Sequence, residues 1–342
     1  MPGTAPLLRL ALVGLLAAAC TDPGAAPSPS PAVASTPAPS APSSIQETAA
    51  PRPEAAAIPL AYRFAVGDRW TEEVEMTLHS SRSGEPPSET PTMLERRRER
   101  FEVLADAGEG PVLAILLEHL EIEPRGAAAI DSDAPPPTGA DPFLFERLAF
   151  VGAPIRVRVD ASGEVLETLD ERLVRDELTR RWTSLREAAG LPPTDDEAAA
   201  RWQRALDAEF AANREWGARP RLPRAPEPPG ATWTETVTTT TLFDAAATWT
   251  IRHTLRDIDG DLATVVRDGD AEFAETAAFA RYLRKADVGL TGEHVLDRGR
   301  GVLLRSETIV EGMIEAAPQV EHGFEGGTLK MRRSLKRRRV DP

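Results

Sequence analysis

One β-strand opening occurs twice in this chain. Gly67-Asp-Arg-Trp70-Thr-Glu-Glu-Val74 returns as Gly230-Ala-Thr-Trp233-Thr-Glu-Thr-Val237. In each copy alternate residues face one way: Trp70, Glu72, Val74, Met76 and Leu78 in the first, Trp233, Glu235 and Val237 in the second. Thr and Glu take the other face, which is the period-2 pattern of a half-buried antiparallel strand. A duplicated strand start fixes an architecture more tightly than any single propensity, because whatever follows one copy is expected to follow the other.

The rest of each copy does follow. Phe101-Glu-Val-Leu runs through a Gly turn at Gly108 into Pro111-Val-Leu-Ala-Ile-Leu-Leu117. Ile251-Arg-His-Thr-Leu255 runs through Asp257-Ile-Asp-Gly-Asp261 into Leu262-Ala-Thr-Val-Val266. Asp-Gly between apolar runs is a hairpin signal. A third pair closes each unit: Ile155 to Leu166 turns at Gly163, and Glu293 to Leu303 turns at Gly301. Each copy therefore reads as a meander of about five strands.

Between the copies the period becomes helical. Val174, Leu178, Trp182, Leu185 and Ala189 form one apolar stripe, and Ala198, Trp202, Leu206 and Phe210 form a second. Gly190 and Pro192-Pro193 stop the first helix, and Thr194-Asp-Asp-Glu197 reads as a capping box for the next. The expected fold is mainly β (α+β): two tandem antiparallel meanders forming one curved sheet or two, with a helical hairpin packed on the concave face. The divisions are 1–19 leader, 20–59 tether, 60–170 first β repeat, 171–217 helical hairpin, 218–315 second β repeat, and 316–342 a last strand with a basic tail.

The N-terminus carries Arg9, the apolar run Leu10 to Leu16, then Ala17-Ala18-Ala19 before Cys20, the sole cysteine. The run is too short to cross a bilayer, which takes about 20 residues, and it has the layout of a secretion signal. Ala18, Ala19 and Cys20 resemble the lipobox of bacterial lipoprotein signals, although Ala17 stands where Leu is usual. That resemblance implies cleavage before Cys20, acylation of its sulfur and amine, and a membrane anchor. Thr21 in place of Asp fits an outer-membrane address in a diderm. A lone cysteine forms no internal disulfide, so the fold must rest on its own core. From Thr21 to about Pro59 the chain is Pro, Ala and Ser with nothing apolar to bury. It reads as a disordered spacer with polyproline II character and a reach on the order of 100 Å.

With these features the chain resembles, over about residues 60–320, a loosely defined set of two-repeat β lipoproteins. More distantly it resembles the open-barrel carriers of the LolA/LolB class. The resemblance implies a curved sheet wrapped on a helix and a role in sheltering acyl chains. It transfers no site residue.

The formal net charge is −14, although seven basic residues crowd into Lys330–Arg339. An acidic body repels phosphate backbones, so nucleic acid is not an expected partner. The basic tail reads as a last strand with Leu329, Met331 and Leu335 inward and its Arg side chains in water. No nucleophile elbow, zinc helix, P-loop or dinucleotide motif is present, so neither a cofactor nor a metal is expected and the reading is non-catalytic. Asp257-x-Asp259-Gly260-Asp261 lacks the spacing of a calcium loop and reads as a hairpin turn. Asp131-Ser-Asp133 is equally short of one. Trp70, Trp233, Trp182 and Trp202 are candidate walls of an apolar cavity, with plain core packing as the alternative. Glu72 and Glu235, two residues after the repeat tryptophans, are the one candidate carboxylate pair for a hydrolase-like site. The plainer expectation sets both at the open end of the sheet, in water. The role read from the sequence is thus a lipid-anchored envelope protein that binds a protein partner or a lipid.

Overall fold

The computed structural model describes residues 57–82, 89–104, 110–135, 142–191, 194–214, 219–240, 246–274, 283–317 and 327–340. The leader, Cys20, nearly all of the tether and Trp216 lie outside these residues.

The first copy comprises β1 (Arg69–Arg82), β2 (Met93–Leu104), β3 (Val112–Pro124), the two-residue β4 (Ile130–Asp131), β5 (Pro154–Val159) and β6 (Val165–Leu169). A short α1 (Pro142–Glu146) and a 3-10 turn precede β5. Helices α2 (Glu171–Ala188) and α3 (Asp196–Arg214) follow. The second copy comprises β7 (Thr232–Thr240), β8 (Ala246–Asp259), β9 (Leu262–Phe273), β10 (Leu283–Asp297), β11 (Val302–Ala316) and β12 (Gly327–Val340). All twelve strands belong to one open antiparallel sheet, in the order β6-β5-β3-β2-β1-β12-β11-β10-β9-β8-β7, with β4 on β3.

That order arranges the copies head to tail. The first strand of copy one lies mid-sheet, whereas the first strand of copy two is an edge. β12 is the seam of the sheet, because it pairs with both β1 and β11. The expected solvated arginine face is only half right. Lys330, Arg332, Lys336 and Arg338 are exposed, but Arg337 is 5% exposed and alternates onto the inner face with Leu329 and Met331.

The sheet curls until its halves meet. One apolar cluster joins Trp70, Phe101 and Leu113 of the first copy to Leu255, Val265 and Leu296 of the second. Another joins Met76, Leu120 and Ile122 to Trp249, Val288 and Leu290. Three glycines mark a diagonal across the second half. Gly269 pairs with Leu290, Gly289 with Asp270 and Glu311, and Gly312 with Val288. A Cβ on Gly269 would stand 2.5 Å from the Thr250 carbonyl oxygen, and one on Gly312 2.1 Å from that of Asp287. Neighbouring backbones approach too closely there for any side chain, the usual role of glycine at a tight sheet bend.

The helices form on the stripes read from the sequence, burying Leu178 and Trp182 on α2 and Ala198, Trp202, Leu206 and Phe210 on α3. The cap of α3 differs from the expected box. Asp195, not Thr194, accepts the Ala198 amide at 2.7 Å. Glu146, 2% exposed, ties α1 to both long helices through Arg201 at 3.0 Å and Arg186 at 3.6 Å.

The arm before β1 locks the copies together at their equivalent turns. Tyr62 donates its amide to Ala161 O, and Arg63 to Gly301 O. The Tyr62 ring lies against Gly163 and the Arg63 side chain against Gly301. Both glycines have positive φ, +87° and +68°, and any Cβ would collide with the arm.

Candidate functional site

The duplicated strand start builds the same constellation twice. Trp70 pairs across the ladder with Phe101, and the rings stack with centroids 5.1 Å apart. Trp233 pairs with His253 in the same way, at 5.4 Å. Phe101 and His253 are therefore equivalent positions, which settles the register between the copies that the sequence leaves open by a residue or two.

The glutamates that follow both tryptophans face inward, and neither stands in water as the plainer sequence expectation had it. Glu72 is 2% exposed and Glu235 has a side chain 13% exposed. The reason is the connector after α3, whose arginines alternate. Arg219 pairs with Glu72, while Arg221 pairs with Glu235 at 3.0 Å. Glu72 also accepts from Trp70 Nε1 at 2.9 Å and from Arg337 at 3.1 Å. Glu235 sits 3.1 Å from His253 Nε2. The Arg219 guanidinium lies 4.8 Å over the Phe101 ring, and the carbonyls of Pro220 and Arg221 accept from Tyr62 and Trp233. The connector segment Arg219-Pro-Arg221-Leu222 thus reaches both Trp–Glu units and fixes both.

A belt of buried charge continues from Glu72 across the inner face. Arg337 bridges Glu72 and Glu99, at 3.1 and 2.8 Å, and Arg97 lies 3.2 Å from Glu95 and 3.3 Å from Glu99. Burial alone raises the Glu99 carboxyl, but Arg337 and Arg97 outweigh it and bring it down to about 2. Burial likewise works against Glu95, and Arg147 and Arg97 hold it below its ordinary value. Burial pushes the Arg333 guanidinium down to about 10.

In the second copy the belt passes to Arg267 and His294. Arg267 crosses over Gly292 to donate to Thr308 Oγ1 at 2.6 Å. His294, on the next inward position of β10 and opposite Ser306, is 0% exposed. Neither of its ring nitrogens has a protein hydrogen-bond partner. Burial, with Arg267 and His253 adding to it, keeps its pKa well below 6.5, so the ring is neutral.

Trp182 and Trp202 stack on each other, 5.2 Å apart and 2° from parallel, with Phe150 at 5.5 Å from Trp202. They occupy the same apolar cluster as Trp70. A groove of about 840 Å³ runs outside them along α2, lined by Leu148, Ala149, Val151, Arg181 and Leu185. On the outer face the structure joins Asp131 and Asp133, set aside above as too short for a calcium loop, to a histidine that the sequence did not connect with them. His119 of β3 stands beside Asp131 and Asp133, twelve and fourteen residues further on. Only the β3–β4 pairing reveals it.

The class is thus a mainly β protein: one open, curled antiparallel sheet with a helical insertion. No family model and no curated protein matches the chain. Among solved structures it is similar to one titled for lipid–protein interactions in lipovitellin, at 10% identity and a TM-score of 0.40. That alignment covers 81% of this chain and 25% of the other, so the chain spans about a quarter of that structure's length.

Proposed function

We propose that this chain is a lipid-anchored cell-envelope protein that works by binding rather than by catalysis. Cys20 carries the acyl chains, residues 20–59 form the tether, and the curled sheet is held in the periplasm or at the cell surface, on the outer membrane where there is one. Two or three acyl chains give stable anchoring, since each buried methylene contributes about 0.8 kcal/mol.

The observation that carries the binding mode is the packing of the inward tryptophans. Trp182 covers Trp202, Trp70 covers Phe101, and the two halves of the sheet share both apolar clusters. Such packing favours a protein partner on the outer surface over acyl chains held within. An apolar ligand keeps one observation in its favour. Met76, Met93 and Met331 all line the second cluster, and methionine is the core side chain that repacks most readily. A hydrolase built on Glu72 and Glu235 is the competing class. The salt bridges weigh against it, because each carboxylate already serves as counter-ion to a connector arginine.

The test is expression with the native leader in a lipoprotein-processing host, followed by cross-linking in intact cells and mass spectrometry of the captured adducts. The reading expects a recurrent protein adduct that depends on the folded domain. Recovery of bound lipid in place of any protein adduct would reverse the choice of ligand.

A further inference from the structure

We propose that His119, Asp131 and Asp133 form a surface site for one divalent transition-metal ion. Three observations converge on it. The first is placement. The β2–β3 ladder shifts register between the Arg98–His119 and Glu99–Leu117 pairs, leaving Glu118 as the extra residue. A bulge of this kind re-aims the side chains that follow it. Leu120 and Ile122 then point inward at 0% exposure and His119 points outward. β4 pairs Asp131 with Glu121 and Ile130 with Ile122, which carries Asp131 and Asp133 alongside His119.

The second is convergence. His119 Nδ1 lies 3.2 Å from Asp133 Oδ2 and 3.9 Å from Asp131 Oδ1, and one donor atom from each residue falls within 4.8 Å of the others. Metal–ligand bonds of about 2.0–2.2 Å to such donors place ligand atoms roughly 3–3.5 Å apart, so only a small closure is required. The turn is already held on both sides. Ile130 is 0% exposed, the Ser132 amide donates to Leu120 O at 2.9 Å, and the Leu120 amide donates to Ser132 Oγ at 3.1 Å.

The third is donor chemistry. One imidazole and two carboxylates on one side of an ion leave its remaining positions to water. That mixed set suits Zn²⁺, Mn²⁺, Fe²⁺ or Co²⁺ rather than Ca²⁺ or Mg²⁺, which prefer oxygen alone. The side chains are 26%, 43% and 76% exposed, so a hydrated ion has access. The competing account is a plain hydrogen-bonded cluster, with His119 donating to Asp133 and Ser132 Oγ 3.2 Å from the same nitrogen. Arg98, opposite His119, adds a repelling charge, so the expected affinity is modest.

The experiment uses the full chain, untagged and carrying Cys20→Ala so that no thiol competes, stripped with EDTA. Co²⁺ is titrated by its visible absorption and by calorimetry, then displaced with Zn²⁺. One equivalent is expected, with affinity reduced about tenfold or more in His119→Ala and in Asp133→Asn and unchanged in His79→Ala. Melting in EDTA checks that the variants are folded, and His119→Gln replaces His119→Ala if that variant does not fold. Absence of a Co²⁺ signal, equal binding by His119→Ala or His119→Gln, or Ca²⁺ binding as tight as Co²⁺, would each overturn the assignment.

Discussion

Replacing Glu72 with Gln asks whether this carboxylate is a structural counter-ion. The substitution keeps shape and still accepts from Trp70 Nε1, but it removes the charge opposite Arg219 and Arg337. Arg337 retains Glu99 at 2.8 Å, so the loss falls chiefly on Arg219, whose side chain is 2% exposed. Breaking a buried pair by removing one partner costs about 3–5 kcal/mol. At about 2–4 °C per kcal/mol for a domain of this size, the melting temperature should fall by roughly 6–20 °C. Adding Arg219→Met removes the charge that Glu72 balances and should recover much of that loss, giving a large coupling in a double-mutant cycle. Glu235→Gln is the internal control. Its side chain is 13% exposed and Arg221 is 34% exposed, so solvent screens the pair and the cost should be about 1 kcal/mol or less. Urea denaturation with a constant slope reads wild type, Glu72→Gln, Arg219→Met, the double variant and Glu235→Gln. A Glu72→Gln protein within about 1 kcal/mol of wild type, or one less affected than Glu235→Gln, would refute the reasoning.

His294 should make stability depend on pH below about 6.5. Its folded pKa is depressed, so the unfolded chain binds the extra proton, and stability falls as pH drops from 6.5, by at most about 1.4 kcal/mol per unit. Glu99 acts in a separate window, its contribution fading only as pH falls from about 4.5 toward 2. His294→Leu should therefore flatten the urea midpoint between pH 7 and 5, and curves parallel to wild type would reject this. Gly312→Ala should cost about 1–3 kcal/mol or more, because its Cβ meets backbone, and more than Gly299→Ala, whose Cβ meets only the side chains of Asp261 and Asp297. Trp202→Ala should lose about 3–5 kcal/mol as a core deletion, and near-wild-type stability would point instead to a ligand-facing wall.

Much of the sheet was legible because its strands are amphipathic and duplicated. The Gly-x-x-Trp starts, the turns at Gly163 and Gly301, and the stripes on α2 and α3 each carry a local pattern. Strand order carries none, and nothing near Gly327–Val340 says that β12 becomes the seam. The burial of Glu72 was hidden for the same reason. Its partners lie 147 and 265 residues away, so a period-2 reading saw a carboxylate and no counter-charge. The glycine diagonal was illegible because Gly269, Gly289 and Gly312 align only after three strands pair.

Intact mass spectrometry of the protein from detergent-extracted cells that express it with its native leader, under native and then denaturing conditions, bears most directly on the account. The predicted spectrum has an N-terminal acylated Cys20 and the same mass in both conditions, as a sheet that binds a protein partner rather than a lipid requires. A mass that drops by one lipid on denaturation, or a Cys20 without acyl chains, would contradict it.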